Sequence, residues 1–97
     1  MSTIRYYRMD AKEGMREQLG SALAALAQAV RPLEGCQGVL MTAAPGAPDS
    51  YLFLETWASE EAHKAAGPQV PPDLLAPVKA CLAGPPSACY LEQLLSI

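Results

Sequence analysis

The stretch YLFLETWA, residues 51–58, constrains the fold of this chain more than any other segment. Its length and its Tyr, Phe, Thr and Trp content mark a strand. Side chains alternate between the two faces of a strand. Leu52 and Leu54 therefore share one face, while Tyr51, Phe53, Glu55 and Trp57 share the other. Both faces are apolar, whereas a sheet with one face in water alternates apolar with polar residues. Helices of the same chain can cover one side. A second copy of the same sheet is the simplest cover for the other, so the pattern predicts a homodimer joined through the sheet face.

The flanking segments set the order of elements. STIRYYRM reads as a first strand, with Ile4, Tyr6 and Arg8 on one face and Arg5, Tyr7 and Met9 on the other. Asp10 is expected to cap the next helix, with Glu13 as its capping-box partner. That helix carries Met15, Leu19, Ala22, Leu23, Leu26, Val30 and Leu33 on one stripe, the spacing of an amphipathic helix. Pro32 predicts its end near Arg31. CQGVLMTAA is a second strand, PGAPDS a turn, and the two strands around it should form an antiparallel hairpin. Ser59 can cap a short helix, EEAHKAA, which Gly67, Pro68, Pro71 and Pro72 interrupt. Leu74, Leu75 and Val78 begin a further short helix ending near Ala83, and SACYLEQLLSI reads as the last strand. The order β-α-β-β-α-β predicts an α+β, ferredoxin-like fold with one antiparallel four-stranded sheet. Ninety-seven residues without a linker predict a single domain, 1–97.

Composition removes several classes of function. The net charge is −3, whereas nucleic-acid binders are normally basic. No run of 18 apolar residues is present, which argues against a membrane-spanning helix, and the first ten residues do not resemble a signal peptide. Only 18% of residues are charged, which suggests apolar surface covered by a partner. Cys36, Cys81 and Cys89 lack metal-ligand spacing, and with a single histidine they predict no zinc site. An odd cysteine count without a secretion signal predicts a cytoplasmic protein with reduced thiols, packed as small core hydrophobes. With no glycine-rich nucleotide pattern either, the sequence predicts no cofactor.

RPLEGCQGVLMTAAPGAPDSYLFLETWASEEAHKAAG resembles the antibiotic biosynthesis monooxygenase-like family of dimeric α+β barrels. The resemblance is carried by Gly35 and Cys36 at the entry to the second strand and by Pro48 and Asp49 before the third. Tyr51 to Trp57 match the family's F-x-x-x-E-x-W, and Ser59 to Ala62 its Ser-Glu-Glu-Ala helix start. The resemblance implies a dimeric barrel and, for some members, oxidation of anthrones or quinols by O2 without a cofactor. Other relatives degrade haem or isomerise small phosphorylated ketones. Two positions depart from the pattern. Many members carry an Asn four residues before the Trp, where this chain has Phe53, and a His nine or ten residues after it, where this chain has Ala66 and Gly67. A haem-degrading relative needs both. His63, six residues after the Trp, falls where some anthrone oxygenases have a pocket Tyr.

Triplet O2 reacts poorly with closed-shell organic molecules. Without metal or flavin, the substrate itself must supply the electron. A quinol or anthrone that loses a proton becomes an anion able to pass one electron to O2. The protein must hold a flat apolar molecule, take one proton and exclude water. Trp57, Phe53 and Tyr51 are the expected walls of such a pocket. His63 titrates near neutrality, and Glu55, if desolvated, has a raised pKa; these two are the expected bases. Tyr6, Tyr7 and Tyr90 can add hydroxyls. The competing readings are that Trp57 and Phe53 are plain core, that His63 is a surface histidine, and that Glu55 pairs with Arg5 or Arg8. On those readings the protein is a non-catalytic ligand-binding or assembly module on the same barrel. An isomerase of a small sugar-like ketone would want more cations near the pocket.

Overall fold

The computed structural model describes residues 2–97. Four strands, β1 (Thr3–Asp10), β2 (Cys36–Ala44), β3 (Ala47–Trp57) and β4 (Ser87–Glu92), form one antiparallel sheet in the order β2-β3-β1-β4. Helix α1 (Arg16–Val30) links β1 to β2. Helices α2 (Glu60–Ala66) and α3 (Pro72–Cys81), separated by a 3-10 turn at Gly67–Gln69, link β3 to β4. The expected ferredoxin-like fold is present, and the helical segment between β3 and β4 is divided into α2 and α3 as its prolines predict.

The core lies between the helices and one face of the sheet. Leu19 and Leu23 from α1 and Phe53 and Trp57 from β3 are fully buried. Arg5, Tyr7 and Met9 of β1 stand opposite Glu55, Phe53 and Tyr51 of β3 on this face. The other face carries Tyr6, Leu54 and Leu40 in neighbouring strands, and no helix covers it. Leu40 is 59% and Leu91 43% exposed. Two-sided apolarity in β3 is thus matched by helices on one side only.

Four local expectations are corrected. Asp10 does not cap α1. It is the last residue of β1, paired with Ser50, and α1 starts at Arg16 with no side-chain cap. The strand continues because Ala11 and Lys12 donate to the carbonyls of Asp49 and Cys81, and Gly14, at φ +77°, then makes the turn. A capping box contributes about 1 kcal/mol, less than the ladder bonds the chain would give up. The β2–β3 turn is shorter than PGAPDS: β3 already begins at Ala47, and Pro48 falls where the register shifts, a place where a strand tolerates a residue without an N–H. The last strand stops at Glu92. Its partner β1 begins at Thr3, and the bond from Gln93 to the Ser2 carbonyl is the last one available. Leu94, Leu95 and Ile97 lie exposed beyond it. Finally, Cys36 and Cys81 are buried but Cys89 is exposed, because alternation turns it to the uncovered face beside Tyr6.

Ser59 caps α2 as expected, its hydroxyl accepting from the Ala62 N–H at 3.1 Å. The start of α2 is held close to the entry of β2. Gly35 adopts φ +86°, and a Cβ there would stand 2.7 Å from Ala62 Cβ. No described helix is long and apolar enough to cross a membrane.

Candidate functional site

Strand alternation brings Phe53, Glu55 and Trp57 onto the helix-covered face of β3, with Tyr7 of β1 directly opposite Phe53. Two residues beyond Trp57, the Ser59 cap starts α2, and its first turn carries His63 back over the strand. The Trp57 and His63 rings meet edge-to-face, with centroids 5.5 Å apart and planes at 66°.

His63 is the hub. Its Nε2 lies 3.2 Å from the Tyr7 hydroxyl and its Nδ1 2.7 Å from the Tyr90 hydroxyl. A neutral imidazole has one donor and one acceptor, so one tyrosine donates to it and the other accepts. The Trp57 indole N–H donates to Glu55 Oε1 at 3.0 Å, and the same oxygen stands 3.8 Å from His63 Nε2. Glu55 forms no ion pair with Arg5 or Arg8. Arg8 pairs with Asp10. The Arg5 guanidinium, although opposite Glu55 in register, lies over the Tyr7 and Tyr90 rings at 5.0 and 4.3 Å.

Burial sets the charge state of this cluster. It pushes the Glu55 carboxyl above the usual carboxylate range, only partly offset by the Trp57 hydrogen bond and the Arg5 charge. It pushes His63 below the usual imidazole value, and Arg5 adds to that shift. It also raises the Tyr7 phenol. All three shifts favour neutral forms. Burial of both partners therefore works against an ion pair at the 3.8 Å approach of Glu55 and His63.

These groups border a cavity of about 380 Å³ between the sheet, α1 and α3. That is within the size range of small-molecule sites, about 300–1,000 Å³. Tyr7, Phe53 and Trp57 line the sheet side, and Leu26 and Val30 of α1 with Val78 of α3 line the helix side. Glu55, His63, Tyr7 and Lys79 are the lining residues with polar side chains. Exposed Gly67, Lys79 and Pro86 mark the mouth. Among the described residues no cluster of three or more His, Cys, Asp or Glu side chains could hold a metal.

Of the site residues expected from sequence, Phe53, Glu55, Trp57 and His63 meet at this cavity. Trp57 and Phe53 are also core, each 1% exposed, so the two readings of them coincide. Tyr51 is not part of the cavity: its hydroxyl donates to the Arg16 carbonyl at 2.9 Å, and its ring packs over Gly20. It sits one turn too far toward the hairpin. Tyr6 faces the uncovered side. Sequence reasoning offered Tyr7 and Tyr90 only as spare hydroxyls and missed them as the partners of His63. It read Leu26 and Val30 as ordinary core. The signal for Tyr7 was present in its alternation with Met9. None existed for Tyr90, whose place depends on β4 docking beside β1.

The sequence from residue 4 to residue 67 matches the profile of the antibiotic biosynthesis monooxygenase family. The chain belongs to that family. The match spans β1 to the end of α2, the segment that holds Tyr7, Phe53, Glu55, Trp57 and His63. No curated protein matches the sequence. Among solved structures, the chain is similar to a mutant form of SnoaB, a cofactor-independent oxygenase from Streptomyces nogalater. The two share 14% identity and a TM-score of 0.81 over 99% of this chain and 96% of that one. A conserved protein from Methanosarcina mazei aligns with a TM-score of 0.85 at 13% identity, over 96% and 93% of the two chains. A protein of unknown function from Nitrosomonas europaea gives 0.83 at 21% identity, over 99% and 92%. At these identities the likeness shows a shared fold. Family membership does not by itself name a substrate.

Proposed function

We propose that this chain is a cofactor-independent monooxygenase that oxidises a flat quinol- or anthrone-like molecule with O2 in the cavity beside Trp57. The observation that carries this reading is His63: a neutral imidazole on the wall of an apolar cavity, with Tyr7 at Nε2 and Tyr90 at Nδ1. Burial keeps it unprotonated near neutral pH, the form a base needs. An enolised anthrone or quinol lying against Phe53 and Trp57 gives its proton to Nε2, directly or through the Tyr7 hydroxyl. The resulting anion passes one electron to O2, the two radicals join through a C–O bond, and loss of water leaves a carbonyl. For an anthrone the overall change is CH2 plus O2 to C=O plus H2O; for a quinol a ring C–H becomes C–OH and the ring goes to the quinone, again with one H2O released, and neither needs another reductant. Tyr90 fixes the imidazole ring. Protonation of His63 favours the ionised form of Glu55, 3.8 Å from Nε2, which then stabilises the imidazolium.

The test is oxygen uptake with a panel of anthrones and hydroquinones. His63→Gln should slow it by about 10²–10⁴-fold. Wild-type uptake no faster than the uncatalysed rate across the panel overturns the proposal. A second reading, a module that holds an apolar ligand without chemistry, is favoured by Phe53 standing where many members have Asn. It predicts quenching of Trp57 fluorescence by these aromatics with no uptake.

We also propose that the active form is a homodimer. Tyr6, Leu40, Leu54 and Leu91 lie on the sheet face that no helix covers, and a second copy of the same face would remove them from water.

A further inference from the structure

We infer that residues 67–77 form a flap over the cavity, hinged at Gly67 and Pro77, which opens to admit an aromatic ligand and closes on it. This rests on reading the cavity as the ligand site and adds how that site is entered and sealed.

The segment is pinned beyond both ends and held loosely between them. Just before α2, the Ala58 N–H donates to the Gly35 carbonyl at 2.8 Å, and Ser59 caps the helix. At the end of α3, the Lys12 N–H donates to the Cys81 carbonyl and the Ala83 N–H to the Asp10 carbonyl, both at 2.8 Å, which ties that end to β1. Among the described residues, no hydrogen bond joins residues 67–77 to α1 or to the sheet. Their bonds stay within the segment or reach back to α2: Val70 N–H to the Gly67 carbonyl, Leu74 N–H to the Pro71 carbonyl, and the Gln69 side chain to the Ala65 carbonyl.

Ala66 and Val78 are 3% and 6% exposed, yet no residue between them is buried. Val70, Leu74 and Leu75 are half-buried and hold the segment against the edge of the core. Val70 and Leu75, with Gly67, also line the cavity, so open space stands where their packing partner would be. A bound ligand supplies that partner. A segment with few buried apolar contacts and only local hydrogen bonds opens at much lower free energy than the whole domain. The two hinges have separate causes. Gly67 has no side chain, and nothing lies within 4 Å of where a Cβ would stand. Pro77 lies inside α3 and has no N–H for the Asp73 carbonyl. Between them Pro68, Pro71 and Pro72 restrict the backbone, so the segment swings as one body. His63 and its two tyrosines lie outside it, which leaves the base in place while the flap moves. Closure excludes water from the cavity, as an anionic intermediate requires.

Two measurements on the full-length protein test this. In hydrogen exchange, the amides of Gln69, Val70 and Leu74 should be at least ~10²-fold less protected than those of Leu23 and Leu26 in α1, as local opening allows. Bound 1,8-dihydroxyanthraquinone should slow their exchange. Stopped-flow quenching of Trp57, the only tryptophan, gives the binding and release rates of the same probe. Gly67→Ala, which restricts the open hinge, should slow both by about two- to fivefold with little change in affinity. Pro77→Ala restores the missing donor and should slow both as well. Gly46→Ala, at a turn with equal room for a Cβ, should leave them unchanged. Flap amides as protected as those of α1, or unchanged rates in either hinge variant, overturn the inference. If unchanged rates accompany oxygen uptake with anthrones, the proposed reaction stands and the site is simply open. Hinge-dependent rates without uptake on any anthrone support the flap and refute the reaction. If the probe neither quenches Trp57 nor slows exchange, the cavity is not an aromatic site and the flap falls with it.

Discussion

Replacing Trp57 with phenylalanine removes the one hydrogen bond that reaches the buried Glu55 carboxyl. In the native protein the indole N–H donates to Oε1 at 3.0 Å, and both residues are nearly sealed from water. Phenylalanine keeps an aromatic ring against the core but has no donor. Leaving a buried acceptor unsatisfied costs about 1–3 kcal/mol. The smaller ring leaves a void that adds about 1 kcal/mol. Trp57→Phe should therefore destabilise the protein by about 2–4 kcal/mol, a large share of the ~5–15 kcal/mol available to a domain of this kind. The cost should grow with pH. Glu55 has a folded-state pKa raised above its ordinary value near 4.5, so between those two values the folded state holds a proton that the unfolded state has released. Stability then falls as pH rises from about 4.5 through the raised value. The Trp57 hydrogen bond works against that rise, so its loss lifts the pKa further and widens the window. Urea unfolding followed by far-UV circular dichroism at pH 5 and pH 8 measures both effects, and Glu55→Gln closes a double-mutant cycle. A cost below about 1 kcal/mol with an unchanged m-value, or a cost that does not rise with pH, would show that Glu55 does not depend on Trp57.

Three other outcomes follow from the same geometry. His63, the only histidine, should titrate below 6.5 by NMR, and the protein should lose stability as pH falls below that value because the unfolded chain binds the proton more readily; His63→Gln should remove that acid-side loss. Sedimentation or light scattering should give a dimer, and Leu54→Asp, which sets a carboxylate on the uncovered face, should dissociate it at a cost of several kcal/mol; a monomeric wild type at micromolar concentration refutes the sheet-face interface. Gly35→Ala should cost about 1–3 kcal/mol by thermal melting, since it forces an L-residue to φ +86° and sets a Cβ 2.7 Å from that of Ala62.

The amino-acid sequence by itself determined the elements and their faces. Alternation in residues 51–57 put Phe53, Glu55 and Trp57 on one side and Leu52 and Leu54 on the other, and the register of β3 against β1 agrees. Such periodicity is a local property, because Cβ direction follows from the backbone alone. Ser59, Pro32 and the prolines after Gly67 marked helix boundaries for equally local reasons, through hydrogen bonds and dihedral angles within a few residues.

Only the tertiary structure decided which neighbours these faces meet. Asp10 carries a good capping signal, but strand pairing with Ser50 claims it. SACYLEQLLSI reads as one strand, but β4 ends where β1 has no more backbone to pair with. Glu55 faced Arg5 across the strands, yet Arg5 turned to the tyrosine rings and left the carboxyl to Trp57 and His63. The meeting of Tyr7, His63 and Tyr90 joins residues up to 83 positions apart in three elements. No local pattern encodes it, because its geometry depends on how β1, α2 and β4 pack, and packing is settled by the whole core at once. The same holds for the cavity: the stripe of Leu26 and Val30 looks identical in sequence whether it is filled from across the sheet or, as here, faces open space under α3.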